Sequence, residues 1–279
     1  MSGEDDPLTD DAITSRFRVW QRVRGHRYSL DDVVVAWEAA RARPEARRVI
    51  DLGTGIGSVA LMLAHALPES TLCAVEAQEV SFALLARNVA RNALGDRIAI
   101  HLGDLREVDA YAHGERFELV TGTPPYFPRG AVTLPPDSQR AHARVELRGG
   151  VEDYLRAASR LVTETGCVVV CADARRPERV IEGAREVGLA PRTRRDVVPR
   201  EGKGPLVGVW TLTSQERAPG RSRTEALTPA QGVLERLPDL VARDAAGART
   251  PIQHELRGFF GLTIGPEDAS PGGRTGSKL

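Results

Sequence analysis

From residue 47 onward the apolar positions follow two alternating periods. Short apolar runs bounded by turn residues mark buried strands over 48–52, 71–76, 97–102, 117–122 and 166–172. Between them lie stretches with apolar residues at helical spacing, over 58–67, 78–92, 151–161 and 177–187. Within 78–92, Phe82, Leu85, Ala86 and Val89 share one helix face. Two more strands are expected over 193–198 and 206–213, joined by a Gly/Lys/Pro loop that suits a hairpin. Strands alternating with helices predict an α/β fold, with a mostly parallel sheet covered by helices on both faces. This sheet has seven strands and ends in an antiparallel hairpin.

The flanks read differently. Residues 16–24 alternate as an amphipathic hairpin strand would, with Phe17 and Trp20 toward the core. Ser29 and Asp32 have capping-box spacing ahead of an apolar helix through 33–37. The expected organisation is an acidic, disordered tail over 1–14 and a main domain over 15–214, whose first part, 15–46, is a lead-in and helix. A polar, Arg-rich linker follows over 215–230. An appendage over 231–265 carries apolar residues again and is expected to fold back on the core. A Gly/Ser/Pro-rich flexible tail covers 266–279.

Composition narrows the classes. With 279 residues and 41% apolar content, the chain can bury a core that needs no disulfides. No eighteen-residue apolar run exists, and the acidic opening residues lack the apolar segment of a secretory signal, so a cytoplasmic protein is expected. Cys73, Cys167 and Cys171 lie in apolar, strand-like stretches and read as buried reduced thiols, with no cluster to hold a metal. A formal net charge of zero argues against a general polyanion binder. Charge is nonetheless segregated. Five acids fall between Glu4 and Asp11, followed by Arg16, Arg18, Arg22, Arg24 and Arg27. With Phe17, Trp20 and Tyr28 interleaved, these arginines could form an RNA-binding surface, and hairpin packing explains the same pattern equally well.

Candidate chemistry begins at Asp51-Leu52-Gly53-Thr54-Gly55-Ile56-Gly57, on the turn between a strand and a helix. Gly53, Gly55 and Gly57 let the backbone turn tightly and approach a ligand closely. Glu76, nineteen residues past Gly57, ends the second strand where an acid would grip a ribose diol. Asp104, just past the third strand, could accept a hydrogen bond from an adenine amine. Such a turn serves NAD, FAD and S-adenosylmethionine alike, and a ligand-free turn is the plain alternative. Asp51 would repel a pyrophosphate and suits a methionine amine, which favours the sulfonium cofactor.

The second motif is Thr123-Pro124-Pro125-Tyr126-Phe127, at the carboxyl edge of the sheet. It resembles the fourth motif of the amino-methyltransferases, Asn/Asp/Ser-Pro-Pro-Tyr/Phe. Within them the chain is similar to the bacterial tRNA (adenine-N6)-methyltransferases that modify valine tRNA beside the anticodon. Arg24-Gly25-His26-Arg27-Tyr28-Ser29-Leu30-Asp31 resembles that family's lead-in, and Ala143-Arg144-Val145-Glu146 its Ala-Arg-His-Glu segment. Pro199-Arg200 and the following hairpin also fit. The resemblance covers about residues 16–214 well, and 215–265 only loosely, through the Asp244 to Thr250 stretch.

The resemblance implies a Rossmann-like class I methyltransferase fold, S-adenosyl-L-methionine as cofactor and tRNA as partner. It implies cofactor contacts from Tyr28, Asp31, Asp51, Gly53, Gly55, Gly57, Glu76, Asp104 and Thr123. Substrate contacts would come from Tyr126, Phe127 and Arg144, and the reaction loop would be Thr123, Pro124, Pro125 and Tyr126. Other acceptors stay open, on a small molecule or a protein glutamine, as does a catalytically silent binding protein.

The chemistry suits these residue types. An exocyclic amine is a poor nucleophile because its lone pair is delocalised into the ring. A side-chain oxygen and the Pro124 carbonyl can each accept one N–H and hold the nitrogen in line with the methyl. The prolines fix φ and remove competing donors, while Tyr126 offers a stacking face worth about 1–3 kcal/mol per base. Positioning is the main contribution, with effective molarities of roughly 10⁵–10⁸ M for well-aligned groups. Thr123 departs from the pattern, since its hydroxyl is shorter than an asparagine amide and stiff at χ1. Losing a neutral hydrogen bond costs about 0.5–1.5 kcal/mol, too little to abolish catalysis.

Overall fold

The computed structural model describes residues 6–108, 112–215 and 234–262. Its first element is a hairpin of β1 (Leu8–Ala12) and β2 (Arg18–Arg22), antiparallel and separate from the main sheet. The central apolar runs have no polar face to leave in water, so they become the inner strands of one sheet. These are β3 (Arg48–Leu52), β4 (Thr71–Glu76), β6 (Phe117–Gly122) and β7 (Val162–Asp173), while β5 (Ile98–Leu102) forms the edge beside β4. They are joined by β8 (Leu189–Val198) and β9 (Val207–Ser214), giving the order β8-β9-β7-β6-β3-β4-β5. Strands β3 to β7 run parallel, and β9 lies antiparallel between β7 and β8. That is the predicted seven-stranded sheet with its terminal hairpin. Two short strands from the appendage, β10 (Glu235–Arg236) and β11 (Leu240–Val241), extend it along the outer edge of β8 to nine.

Helices cover both faces, and successive strand residues serve opposite layers. Val49, Leu119 and Val169 face α1 (Leu30–Ala42), α2 (Ser58–Ala66) and α3 (Glu79–Arg91) with Trp37, Leu61 and Leu85. Ile50, Val120 and Val168 face the other layer with Leu155 and Val180, on helices past the short α4 (Ser138–Arg144). Those helices are α5 (Val151–Leu161) and α6 (Pro177–Glu186). The last helix, α7 (Pro251–Phe259), lies near α1. Leu240, Leu256 and Phe260 from the appendage are buried in the first core, so residues 235–260 are an integral layer of the domain. Of the linker expected over 215–230, residues 216–230 lie outside the described residues, as does the tail expected over 266–279.

The N-terminus corrects an expectation. Residues 8–12 form a strand where the acidic composition predicted disorder. Three of the acids are matched to arginines further along the chain. Asp6 bonds Arg22 and Arg24, Asp10 bonds Arg18 and Arg91, and Asp11 bonds Arg27. The hairpin is also stitched to α3 by two asparagines one turn apart. Asn88 accepts from the Trp20 N–H at 2.7 Å and donates to the Trp20 and Ile56 carbonyls, while Asn92 treats Arg18 likewise. A side-chain amide here substitutes for the missing neighbouring strand.

Candidate active site

Strands β3 to β6 end at one edge of the sheet, and their following turns enclose a cavity. Gly53 and Gly55 (both φ +60°) and Gly57 (φ +90°) carry the turn from β3 to α2 in a conformation that disfavours side chains. A Cβ on Gly53 would fall 2.0 Å from the Tyr154 hydroxyl oxygen, whereas one on Gly55 would meet open space. The turn is therefore packed on its α5 side and open on its cavity side.

The acids divide into two groups. Glu76, at the end of β4, lines the cavity and accepts the Gly55 N–H at 2.8 Å and the Gln78 N–H at 2.7 Å. Burial raises its carboxyl above the usual carboxylate range. Asp104 lines the cavity past β5, where its hydrogen bonds with the Arg106 guanidinium hold its pKa down. Asp51 does not reach the cavity. Its carboxylate accepts from the Thr54 and Thr121 hydroxyls, and burial pushes it up to about 6. Both oxygens of Asp51, the acid expected to meet a methionine amine, are engaged behind the turn in this structure.

The reaction loop leaves β6 and borders the same cavity. Thr123 and Pro125 line it, and Pro124 is buried behind them. The Tyr126 ring is half-buried, and its hydroxyl donates to Asp31 of α1 and lies 3.1 Å from the Cys171 sulfur. Tyr126 is a strut of the loop in this structure and is not on the cavity wall. Phe127 donates its N–H to the Arg144 carbonyl, and its ring lies under the Arg144 guanidinium at 5.6 Å. Phe127 and Arg144 therefore sit together beside the loop, outside the cavity. Tyr28 lines the cavity, whereas Asp31 and Gly57 stand just behind it.

Several lining residues were not anticipated as site residues. Tyr154, His26, Gln78 and Arg148 all face the cavity, as does Asp32, read from sequence only as a helix cap. Tyr154 could have been inferred from the glycines at Gly53 and Gly122, since a Cβ at either would strike its ring or hydroxyl. The others come from loops whose path no local pattern shows. Phe17, meanwhile, is buried edge-on against His65, and Trp20 lies under Arg87 and Arg91. With Arg18, Arg22, Arg24 and Arg27 paired to acids, this hairpin has a weaker case as an RNA surface.

A nucleoside without phosphates suits the donor set. Glu76 and Asp104 give the wall anionic character that would oppose a pyrophosphate and favour a cation. The open face at Gly55 leaves room for a ligand beside Glu76. The arrangement is that of a nucleoside-binding α/β enzyme of the Rossmann-like kind.

Comparison with known proteins agrees. The methyltransferase small domain family model matches residues 37–135. A tRNA1(Val) (adenine(37)-N6)-methyltransferase of Bacteroides thetaiotaomicron is 30% identical over 200 residues, covering 71% of this chain and 81% of that protein. A ribosomal protein uL3 glutamine methyltransferase of Bradyrhizobium diazoefficiens is 34% identical over 149 residues, covering 51% of this chain and 45% of its own. The crystal structure of a predicted O-methyltransferase from Agrobacterium tumefaciens shares the fold, with a TM-score of 0.59 at 19% identity over 83% of this chain and 97% of that one. The chain belongs to the class I S-adenosylmethionine-dependent amino-methyltransferases and is similar within them to the tRNA1(Val) adenine-N6 enzymes. Among the described residues no helix is long and apolar enough to cross a membrane, and no cluster of three or more potential metal-binding side chains occurs.

Proposed function

We propose that this enzyme methylates the exocyclic N6 of an adenine in tRNA. The observation that carries the reading is the opening of the Thr123-Pro124-Pro125 loop onto the cavity shared by Glu76 and the glycine turn. S-adenosylmethionine held in this cavity would supply an electrophilic methyl to the amine nitrogen, with the sulfonium keeping the C–S electron pair and one amine proton passing to water. Glu76 would hold the ribose diol, Asp104 the adenine edge, and Gly53 and Gly55 the close backbone approach. Thr123 and the Pro124 carbonyl would each accept an N–H of the target amine. Arg140, Arg144 and Arg148 stand on α4 and the segment after it, and among the described residues none has an ion-pair partner. They are better placed to meet phosphates than the paired arginines of the hairpin.

A protein glutamine is the second reading, because its amide is also a planar nitrogen and one relative bears that name. The two separate by nucleoside mass spectrometry of tRNA from a deletion strain. Loss of N6-methyladenosine from one tRNA, restored by the gene, is expected. An unchanged tRNA profile together with loss of a methylglutamine from a ribosomal protein would replace the RNA reading.

A further inference from the structure

We propose that Tyr154 is a cofactor-binding residue whose hydroxyl donates to the carboxylate at the amino-acid end of S-adenosylmethionine. This assignment rests on the cofactor placement above, with ribose at Glu76 and adenine at Asp104, and holds whichever nitrogen is methylated. The strands run β6-β3-β4-β5 along the cavity edge. Asp104 follows β5 and Glu76 ends β4, so the amino-acid end falls beyond them, at the ends of β3 and β6. The reaction loop leaves β6 there, as transfer from the sulfur requires.

Tyr154 occupies that end of the cavity. It stands on α5 and lines the wall, yet it is only 7% exposed. Two neighbouring strand ends are cleared of side chains to seat it. A Cβ on Gly122, closing β6, would fall 2.5 Å from the ring Cδ1, and one on Gly53, just past β3, would fall 2.0 Å from the hydroxyl oxygen. The start of α5 is fixed as well. Arg179 of α6 bonds both Glu146 and Glu152, and Asp153 accepts the Gly150 N–H at 3.1 Å. A ring seated this firmly presents its hydroxyl in one direction.

The hydroxyl is available to a ligand while the donors beside it are committed. The Thr54 N–H goes to the Val75 carbonyl, the Gly55 N–H to Glu76 and the Gly57 N–H to the Thr54 carbonyl. The Thr54 hydroxyl donates to Asp51. Tyr154 has no side-chain hydrogen-bond partner among the described residues. Burial, and then the Glu76 and Asp51 charges, hold its proton well above the usual tyrosine range, so it stays a donor. The acidic wall that opposes a pyrophosphate would oppose a carboxylate too, and a fixed neutral donor offsets that repulsion. A hydroxyl–carboxylate bond is charge-assisted and roughly twice as strong as a neutral one.

The test is calorimetry on the full chain with two probes, S-adenosylhomocysteine and its decarboxylated analogue, which differ only in the carboxylate. In wild type the analogue should bind about 10- to 100-fold more weakly. Tyr154→Phe keeps the ring in its glycine seat and removes only the hydroxyl. It is expected to weaken S-adenosylhomocysteine by a similar factor of about 10 to 100, and the analogue by less than about twofold. Retained binding of the analogue also shows that the variant is folded. Equal losses for both probes would assign the hydroxyl to the nucleoside, and an unchanged S-adenosylhomocysteine affinity would leave it no ligand. Either result overturns the proposal and leaves the cofactor placement standing. A wild type that binds neither probe overturns both.

Discussion

Glu76→Ala is expected to weaken S-adenosylhomocysteine binding by at least about 100-fold, from the loss of charged hydrogen bonds worth roughly 1.5–3 kcal/mol each. The carboxylate is nearly buried at the end of β4 and has two tasks. One oxygen accepts from Gly55 and the other from Gln78, so it fixes the glycine turn and the start of α3. Each oxygen retains a further lone pair, and the cavity is where a diol would use them. Alanine removes the diol acceptors and frees the Gly55 N–H in the same step. Glu76→Gln keeps one acceptor oxygen and should lose about tenfold less than alanine. Titration calorimetry checks both variants, with thermal unfolding as a control for folding. Undiminished affinity in the alanine variant would mean that the ribose lies elsewhere.

The largest stability effect is expected at Glu38. This residue of α1 is buried and paired with Arg195 of β8 at 2.5 Å, both side chains being under a tenth exposed. Arg195 also donates to the Pro238 carbonyl and lies over the Trp37 ring, so it ties helix, sheet edge and appendage together. Glu38→Ala would strand a buried guanidinium, at a cost of about 3–5 kcal/mol. Denaturant unfolding should show that loss as a lower midpoint at similar slope. The double change Glu38→Leu with Arg195→Met should cost much less, because no unpaired charge remains. A single variant within about 0.5 kcal/mol of wild type would show the pair to be incidental.

The central strands were legible in the sequence because they are buried on both faces and bounded by glycine or acid. The turn at Gly53, the acid at Glu76 and the loop at Thr123 followed, since each lies immediately past such a strand. What local pattern could not show was partnership across the chain. Asp6, Asp10 and Asp11 look like part of a solvated tail until β1 pairs with β2 and each of the three meets an arginine. Interleaved arginine and aromatic residues look the same whether they face RNA or pack a hairpin, and Trp20 is held by Arg87 of α3. Asp51 has the right position for a cofactor acid, but the Thr54 hydroxyl three residues on and the Thr121 hydroxyl on the adjacent strand claim it. Asp32 was visible as a cap, while its place on the cavity wall depends on where α1 sits against the β6 loop.

The central claim is methyl transfer to an adenine amine, and purified protein tests it most directly. The protein is incubated with methyl-labelled S-adenosylmethionine and unmodified valine tRNA transcript, and the digested nucleosides are resolved by mass spectrometry. Label in N6-methyladenosine, at one position and absent from the Glu76→Ala reaction, is the expected result. An unlabelled transcript, with label entering a protein glutamine or a small amine under the same conditions, would contradict it.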